Sequence, residues 1–281
     1  MKQHILIADS GSTKTEWDLD GLRIKTQGIN PFHQDDDTIR AILYDELLPQ
    51  LYSHCSVSEF SSLKVSFYGS GVRPELEEKI VRLLSEAFPE AKQIDAHSDL
   101  LGAAIALCGH SEGIACILGT GANSCLFDGQ RIVKNTPPMG YVLGDEGSGA
   151  VLGIRFLNAL YKDRLPHTIL SDFEAYIGMN LAQVIDRVYR QPLANRWLAS
   201  LSEFIHAHMD EPLIEALVVE NFRDFLRYNV DPYGRRELPV SALGSIAYYY
   251  QSQFLEALKS EGYTVGKILR GPLDGLVRQT V

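Results

Sequence analysis

Asp9-Ser10-Gly11-Ser12-Thr13-Lys14-Thr15 brings a carboxylate, a glycine, an ammonium and a row of hydroxyls into one short turn, directly after the apolar run Ile5-Leu6-Ile7-Ala8. Small residues let backbone N–H groups approach phosphate oxygens, and the hydroxyls of Ser12, Thr13 and Thr15 and the Lys14 ammonium are donors for them. Glu16-Trp17-Asp18-Leu19 resumes strand alternation, so the turn belongs to a β-hairpin; the P-loop pattern GxxxxGK[ST] is absent. A second turn of this kind, Gly119-Thr120-Gly121, follows the apolar run Ile114–Leu118. Either turn alone is also an ordinary hairpin, because Gly, Ser, Thr, Asp and Lys are common turn residues. One in each half points to a shared polyphosphate, with Thr120 and the N–H groups of Gly119 and Gly121 expected on its β- and γ-phosphates.

Transfer of a phosphoryl group to a hydroxyl needs a carboxylate that accepts the hydroxyl proton, plus donors and Mg²⁺ on the triphosphate. Asp99 follows the short strand Ile94–Ala96 at a helix start and is the candidate base. Ser98 and Asp99 also serve as cap and first-turn residues, which is the competing account. A carboxylate at a helix N-terminus is expected to have a lowered pKa and to act as an ionised, orienting base. Asp9 is either a metal contact or a turn-initiating Asp. Asp145 and Glu146 lie in a loop with four glycines, Gly140 to Gly149, where acids are otherwise merely solvated.

The elements that must position these groups read off the alternation. Residues 4–10, 14–19 and 22–27 form a three-stranded meander with Asp20-Gly21 at a hairpin turn. Helix Thr38 to Leu48, strand 64–69, helix Glu75 to Phe88, strand 93–97 and a helix from Ser98 to Leu107 follow. The meander recurs at 114–119, 123–127 and 130–134, with Asp128-Gly129 at its turn. A helix runs from Ala150 to Leu160, residues 171–226 are mainly helical, and a further helix, capped by Ser241, runs from Ser241 or Leu243 to Leu258. Gly262 to Leu269 is the last strand. Tyr248-Tyr249-Tyr250 is a candidate adenine platform, though an aromatic run on a helix is more often core. His33 and His97 are taken as structural. The fold class is α/β: two ribonuclease-H-like domains, 1–107 and 108–281, around a nucleotide cleft, with the last helix able to pack back on the first domain.

The segments DSGSTKTEW, AHSDLLGAA, ILGTGANS, GYVLGDEGSGAVLG and GSIAYYY, in this order, resemble the BadF/BadG/BcrA/BcrD-type branch of the actin, sugar kinase and Hsp70 superfamily, and within it the N-acetylglucosamine kinases. The resemblance is weakest between Leu157 and Pro239. It implies an actin-like ATPase fold, ATP and Mg²⁺ as cofactors, and Mg²⁺ held by Asp9. The nucleotide falls to Ser10, Gly11, Ser12, Thr13, Lys14, Thr15, Gly119, Thr120, Gly121, Gly244 and Ser245. Similarity places Asn30, Asp99, Asp145 and the backbone near Gly140 on the sugar. Ser10 and Ser12 stand where relatives often carry glycine. Kinship also implies a homodimer.

Bulk properties narrow the classes. A net charge of −10 argues against a nucleic-acid partner, since such binding rests on Lys and Arg neutralising phosphates. No apolar run approaches the ~20 residues that span a bilayer, so no membrane partner is expected. Met1 to Ile5 leads straight into a strand and not a signal peptide, so the expected location is cytoplasmic. Cys55, Cys108, Cys116 and Cys125 show neither CxxC spacing nor zinc-ligand companions and read as buried thiols. The compact zinc motif of ROK-type sugar kinases and the cluster cysteines of dehydratase activators are both missing. The expected function is ATP-dependent phosphorylation of an amino sugar, N-acetylglucosamine at its 6-hydroxyl; the alternatives are an ATPase switch acting on a partner enzyme and a non-catalytic sugar or nucleotide sensor.

Overall fold

Leu6, Ala8 and Ser10 alternate along strand β1 (His4–Ser10) with Ile5, Ile7 and Asp9, and the two sets face different layers. The computed structural model describes residues 3–11, 13–54 and 57–280, leaving Met1, Lys2, Ser12, Cys55, Ser56 and Val281 outside the description. The phosphate role expected of Ser12 and the buried thiol expected of Cys55 therefore lie outside the described residues. The chain divides into two units, residues 1–109 with 272–281, and residues 110–271.

In the first unit β1 pairs antiparallel with β2 (Lys14–Leu19), which pairs with β3 (Leu22–Gln27). Helix α1 (Asp36–Ala41) is capped by Asp35 and passes through a π segment, Ile42–Leu47, into α2 (Leu48–Tyr52). Strands β4 (Leu63–Gly69) and β5 (Gln93–Ser98) add in parallel, separated by α3 (Pro74–Ala87), and α4 (Asp99–Cys108) follows. The sheet order is β3-β2-β1-β4-β5. Leu6, Ala8, Trp17, Val65 and Phe67 fill the core under α1 and α3, and the buried indole Nε1 of Trp17 donates to Thr26 Oγ1 at 3.0 Å.

The second unit repeats the plan. Strands β6 (Gly113–Leu118), β7 (Ala122–Phe127) and β8 (Ile132–Thr136) form the meander, the last two residues later than the spacing predicts. Next come α5 (Gly140–Leu143), α6 (Gly149–Tyr161), α7 (His167–Ile177), α8 (Leu181–Tyr189), α9 (Ala194–Ser200), α10 (Ser202–Ala207) and α11 (Pro212–Phe225). Strand β9 (Pro239–Leu243), α12 (Ser245–Tyr249), α13 (Gln251–Ser260) and β10 (Thr264–Leu269) complete a sheet ordered β10-β9-β6-β7-β8. Helix α14 (Leu273–Thr280) then joins the first unit, where Leu273 and Leu276 bury against Ile7 and Ala106. Both sheets thus have a three-strand meander continued by two parallel strands, the ribonuclease-H-like order.

Strand β9 overturns the expected helix start at Ser241 or Leu243. Pro239–Leu243 is a short, nearly all-buried run between β6 and β10, where a continuous apolar stretch is as good a strand as a helix. Ser241 is not a cap: its Oγ accepts from Lys267 N in β10 at 3.0 Å. Of the tyrosine run, Tyr250 is core, with its OH donating to Ser202 O at 2.5 Å, while Tyr248 and Tyr249 are exposed.

Candidate functional site

The first unit gathers carboxylates at the carboxyl ends of its parallel strands, where open α/β sheets bind ligands. Register places Asp9 opposite Glu16 of β2 and beside Tyr68 of β4, while Ser10 lines up with Gly69, and Gly69 with Ser98. Asp99 opens α4, and the Ser98 hydroxyl caps the helix by accepting from Leu101 N at 3.3 Å. Burial beside the Glu16 and Asp99 carboxylates pushes Asp9 up to about 7, with Lys14 only partly offsetting them. Asp99 is raised, which corrects the lowered value expected of a helix start. Desolvation outweighs the backbone N–H groups of Leu100 and Asp99 itself, which pull the other way.

The turn is stiffened from below. Ser10 Oγ donates to Ile29 O at 2.9 Å, accepts from Ile29 N at 3.0 Å and lies 2.6 Å from Thr15 Oγ1, which itself donates to Gln27 O at 3.1 Å. Both side chains are buried, and the hydroxyls of Ser10 and Thr15 fasten the segment after β3. Gly11 N donates to Lys14 O at 3.0 Å and closes the turn. Gly11, Thr13 and Lys14 are exposed, and Lys14 Nζ rests on Glu16 at 2.8 Å. Asn30 is buried; its Oδ1 accepts from Phe32 N at 3.1 Å and its Nδ2 donates to Ser70 Oγ at 3.4 Å. A Cβ on Gly71, at φ +79°, would fall 2.2 Å from that Oδ1. Asn30 thus shapes a turn.

The second unit holds the other turn against a helix. Gly149 N donates to Gly119 O at 2.8 Å and Ala150 N to Thr120 O at 3.2 Å, so the turn's carbonyls satisfy the first N–H groups of α6. The N–H of Gly119 donates to Gly121 O at 3.0 Å, and Thr120 is exposed. Asp145 sits directly behind: a Cβ on Gly121 would be 2.9 Å from its Oδ2. The backbone N–H groups of Ala122 and Gly140 donate to its carboxylate, yet burial raises it to about 6. Gly140 and Asp145 are therefore brought together, with the glycine N–H already used by the acid. Asp145 itself adopts a left-handed φ of +55°, unusual for a residue with a side chain.

Gly244 needs its hydrogen. At φ +111°, a Cβ would lie 2.3 Å from Leu118 O, so only glycine lets the end of β9 pass this close to β6. Ser245 begins α12 and, with Glu203, His206 and Tyr249, lines a pocket of about 330 Å³. Glu16, Asn229 and the Glu203–His206 wall escaped the sequence reading, and Glu146 was named there without a role. Only Glu16 had a signal, since hairpin pairing puts it across from Asp9.

Among the described residues no group of three or more His, Cys, Asp or Glu side chains could hold a metal by itself. No described helix is long and apolar enough to cross a membrane. Cys116 and Cys125 are buried and Cys108 half-buried.

Comparison with known proteins places this architecture. The chain matches no protein-family model and no curated protein. A solved protein of Porphyromonas gingivalis, provisionally assigned as an N-acetylglucosamine kinase, is 45% identical over 98% of each chain, with a TM-score of 0.91. A second, from Chromobacterium violaceum and assigned in the same way, is 17% identical over 99% of each chain, with a TM-score of 0.72. MreB5 of Spiroplasma citri, solved with AMPPNP, is 10% identical over 100% of this chain and 95% of its own, with a TM-score of 0.59, and supports the fold alone. Two ribonuclease-H-like units with a phosphate-type turn in each define an actin-like ATPase. The chain belongs to its BadF/BadG/BcrA/BcrD-type family, in the N-acetylglucosamine kinase-like branch.

Proposed function

We propose that the protein is an ATP- and Mg²⁺-dependent kinase of an amino sugar, with N-acetylglucosamine as substrate and its 6-hydroxyl as acceptor. The observation that carries this reading is the placement of Asp9, near the end of β1, and Asp99, at the start of α4, at the same strand ends of the first unit. Phosphoryl transfer uses two such carboxylates for different tasks: one near the metal-bound phosphates, one on the acceptor hydroxyl. Family likeness to a protein assigned to the same sugar agrees.

Asp99 takes the hydroxyl proton as the γ-phosphoryl group arrives. Burial raises its basicity, which strengthens its pull on the hydroxyl proton. Asp9 fits a hard cation: it is an oxygen donor held near two further carboxylates with one lysine to offset them. When bound there, Mg²⁺ supplies neutralising charge to the triphosphate. Gly11, Thr13, Lys14 and Thr120 would contact phosphate, and Gly244 and Ser245 the adenosine. Asp145 accepts from sugar hydroxyls and holds the ring for attack.

The test is ADP release from MgATP against N-acetylglucosamine, N-acetylmannosamine, N-acetylmuramic acid, glucosamine and glucose. Release that depends on one amino sugar, with a 6-phosphate product by mass spectrometry and NMR, is expected. Release indifferent to all of them would replace the kinase with a nucleotide-driven switch.

A further inference from the structure

Glu146 follows Asp145 in the glycine-rich loop, and its carboxylate is half-buried. Among the described residues its side-chain partner is Asn229, whose Nδ2 donates to Oε2 at 3.0 Å. A carboxylate offers no hydrogen, so Asn229 must present its amino group, and the pairing has one sense.

Asn229 is itself clamped. It lies on a π turn, Leu226–Val230, that continues α11, and it is 5% exposed. Its backbone carbonyl accepts from Ser124 Oγ of β7 at 3.1 Å and from Thr136 Oγ1 of β8 at 2.9 Å. Tyr233 OH lies 2.7 Å from Ser124 Oγ and accepts from Thr136 N at 3.1 Å. Two strands and the end of a long helix therefore fix the backbone that carries the Asn229 side chain, and that side chain's amide holds one oxygen of Glu146. The other oxygen, Oε1, is left as an acceptor with a set direction. Single π turns are concentrated at functional sites.

We propose that Glu146 is a second sugar-binding carboxylate beside Asp145, accepting a hydroxyl hydrogen on Oε1, and that Asn229 is the positioning residue that aims it. The inference rests on the amino-sugar kinase reading and names a specificity determinant within it. The ligand class is a polyol whose hydroxyls donate to adjacent carboxylates, and a deoxy analogue at that hydroxyl leaves Glu146 unpaired.

The test is a reciprocal swap, read as KM for N-acetylglucosamine and KM for MgATP in the ADP-release assay. In Glu146→Gln the Asn229 amino group holds the new amide oxygen, which turns an NH₂ toward the sugar. In Asn229→Asp two carboxylates face each other and Glu146 is driven out of line. Each single change is expected to raise KM for the sugar about tenfold or more and to leave KM for MgATP within about twofold. In the double variant the Gln NH₂ donates to the new Asp and its oxygen again faces the sugar, so KM for the sugar falls back toward wild type. A merely structural pair would move both KM values and the unfolding midpoint together, which overturns the proposal, as does an unchanged sugar KM in Glu146→Gln. Wild-type enzyme that transfers to no amino sugar sinks the kinase reading and this proposal with it; transfer with indifferent variants sinks only the proposal.

Discussion

Asp145 is held in its ionised form at a cost, and replacing it by Asn makes that cost measurable. The folded carboxyl titrates near 6 against an ordinary 3.8. A difference of about two pKa units corresponds to ~3 kcal/mol carried by the folded, ionised state at neutral pH. The sign follows from proton counting. Between pH ~4 and ~6 the folded chain binds more protons than the unfolded chain, so this group lowers stability as pH rises through that window. Asn removes the charge and keeps one acceptor for the N–H groups of Ala122 and Gly140, giving up the other at ~1 kcal/mol. The ligand-free Asp145→Asn variant is therefore expected to gain ~2 kcal/mol at pH 7, or about 4–8 °C in the midpoint for a unit of this size. At pH 5 the wild-type penalty is about half as large, and the gain shrinks to under ~1 kcal/mol. Thermal unfolding followed by calorimetry at both pH values measures it. A gain of equal size at pH 5 and 7, or a less stable variant at pH 7, would refute the argument that desolvation of the charge dominates here. The same variant is expected to lose sugar affinity, so stability and function should move in opposite directions.

Asp99→Ala is expected to lower kcat by about 10²-fold or more with ATP affinity nearly intact; lost affinity instead would make Asp99 a structural or phosphate group. Gly244→Ala should destabilise by roughly 2–4 kcal/mol in denaturant titration, since its Cβ would meet Leu118 O at 2.3 Å. Ser10→Ala should cost about 1–3 kcal/mol by taking the hydroxyl donor from Ile29 O and leaving Ile29 N with only its longer bond to Thr15 Oγ1, with little change in KM for MgATP. A large rise in that KM at unchanged stability would return Ser10 to the phosphate.

What could be read from the chain follows a physical division. Strands β1 to β3 match the alternation residue for residue, because each has one face on a core and one turned elsewhere. Even the inward turn of Ser10 is visible there, since it shares parity with Leu6 and Ala8. Strand β9 was hidden, because a central strand buried on both faces has no alternation to show. The direction of the Asp99 shift was also out of reach. Helix position is visible in sequence, whereas desolvation depends on what packs around the side chain. Asn229 gave no sign because its role comes from contacts to residues 83 and more positions away in the chain.

The helix α14 bears on how the chain is made. Leu273 and Leu276 complete the layer that covers Ile7 and Ala106, and Arg23 reaches Asp274 across 251 positions of sequence. The unit begun first on the ribosome is therefore finished last. Its sheet can form early, but one face of β1 waits as exposed apolar surface while the whole second unit is synthesised and folds. Folding of residues 1–109 is expected to need either α14 supplied separately or a holdase, and a nonsense mutation near the end of the chain should damage its beginning.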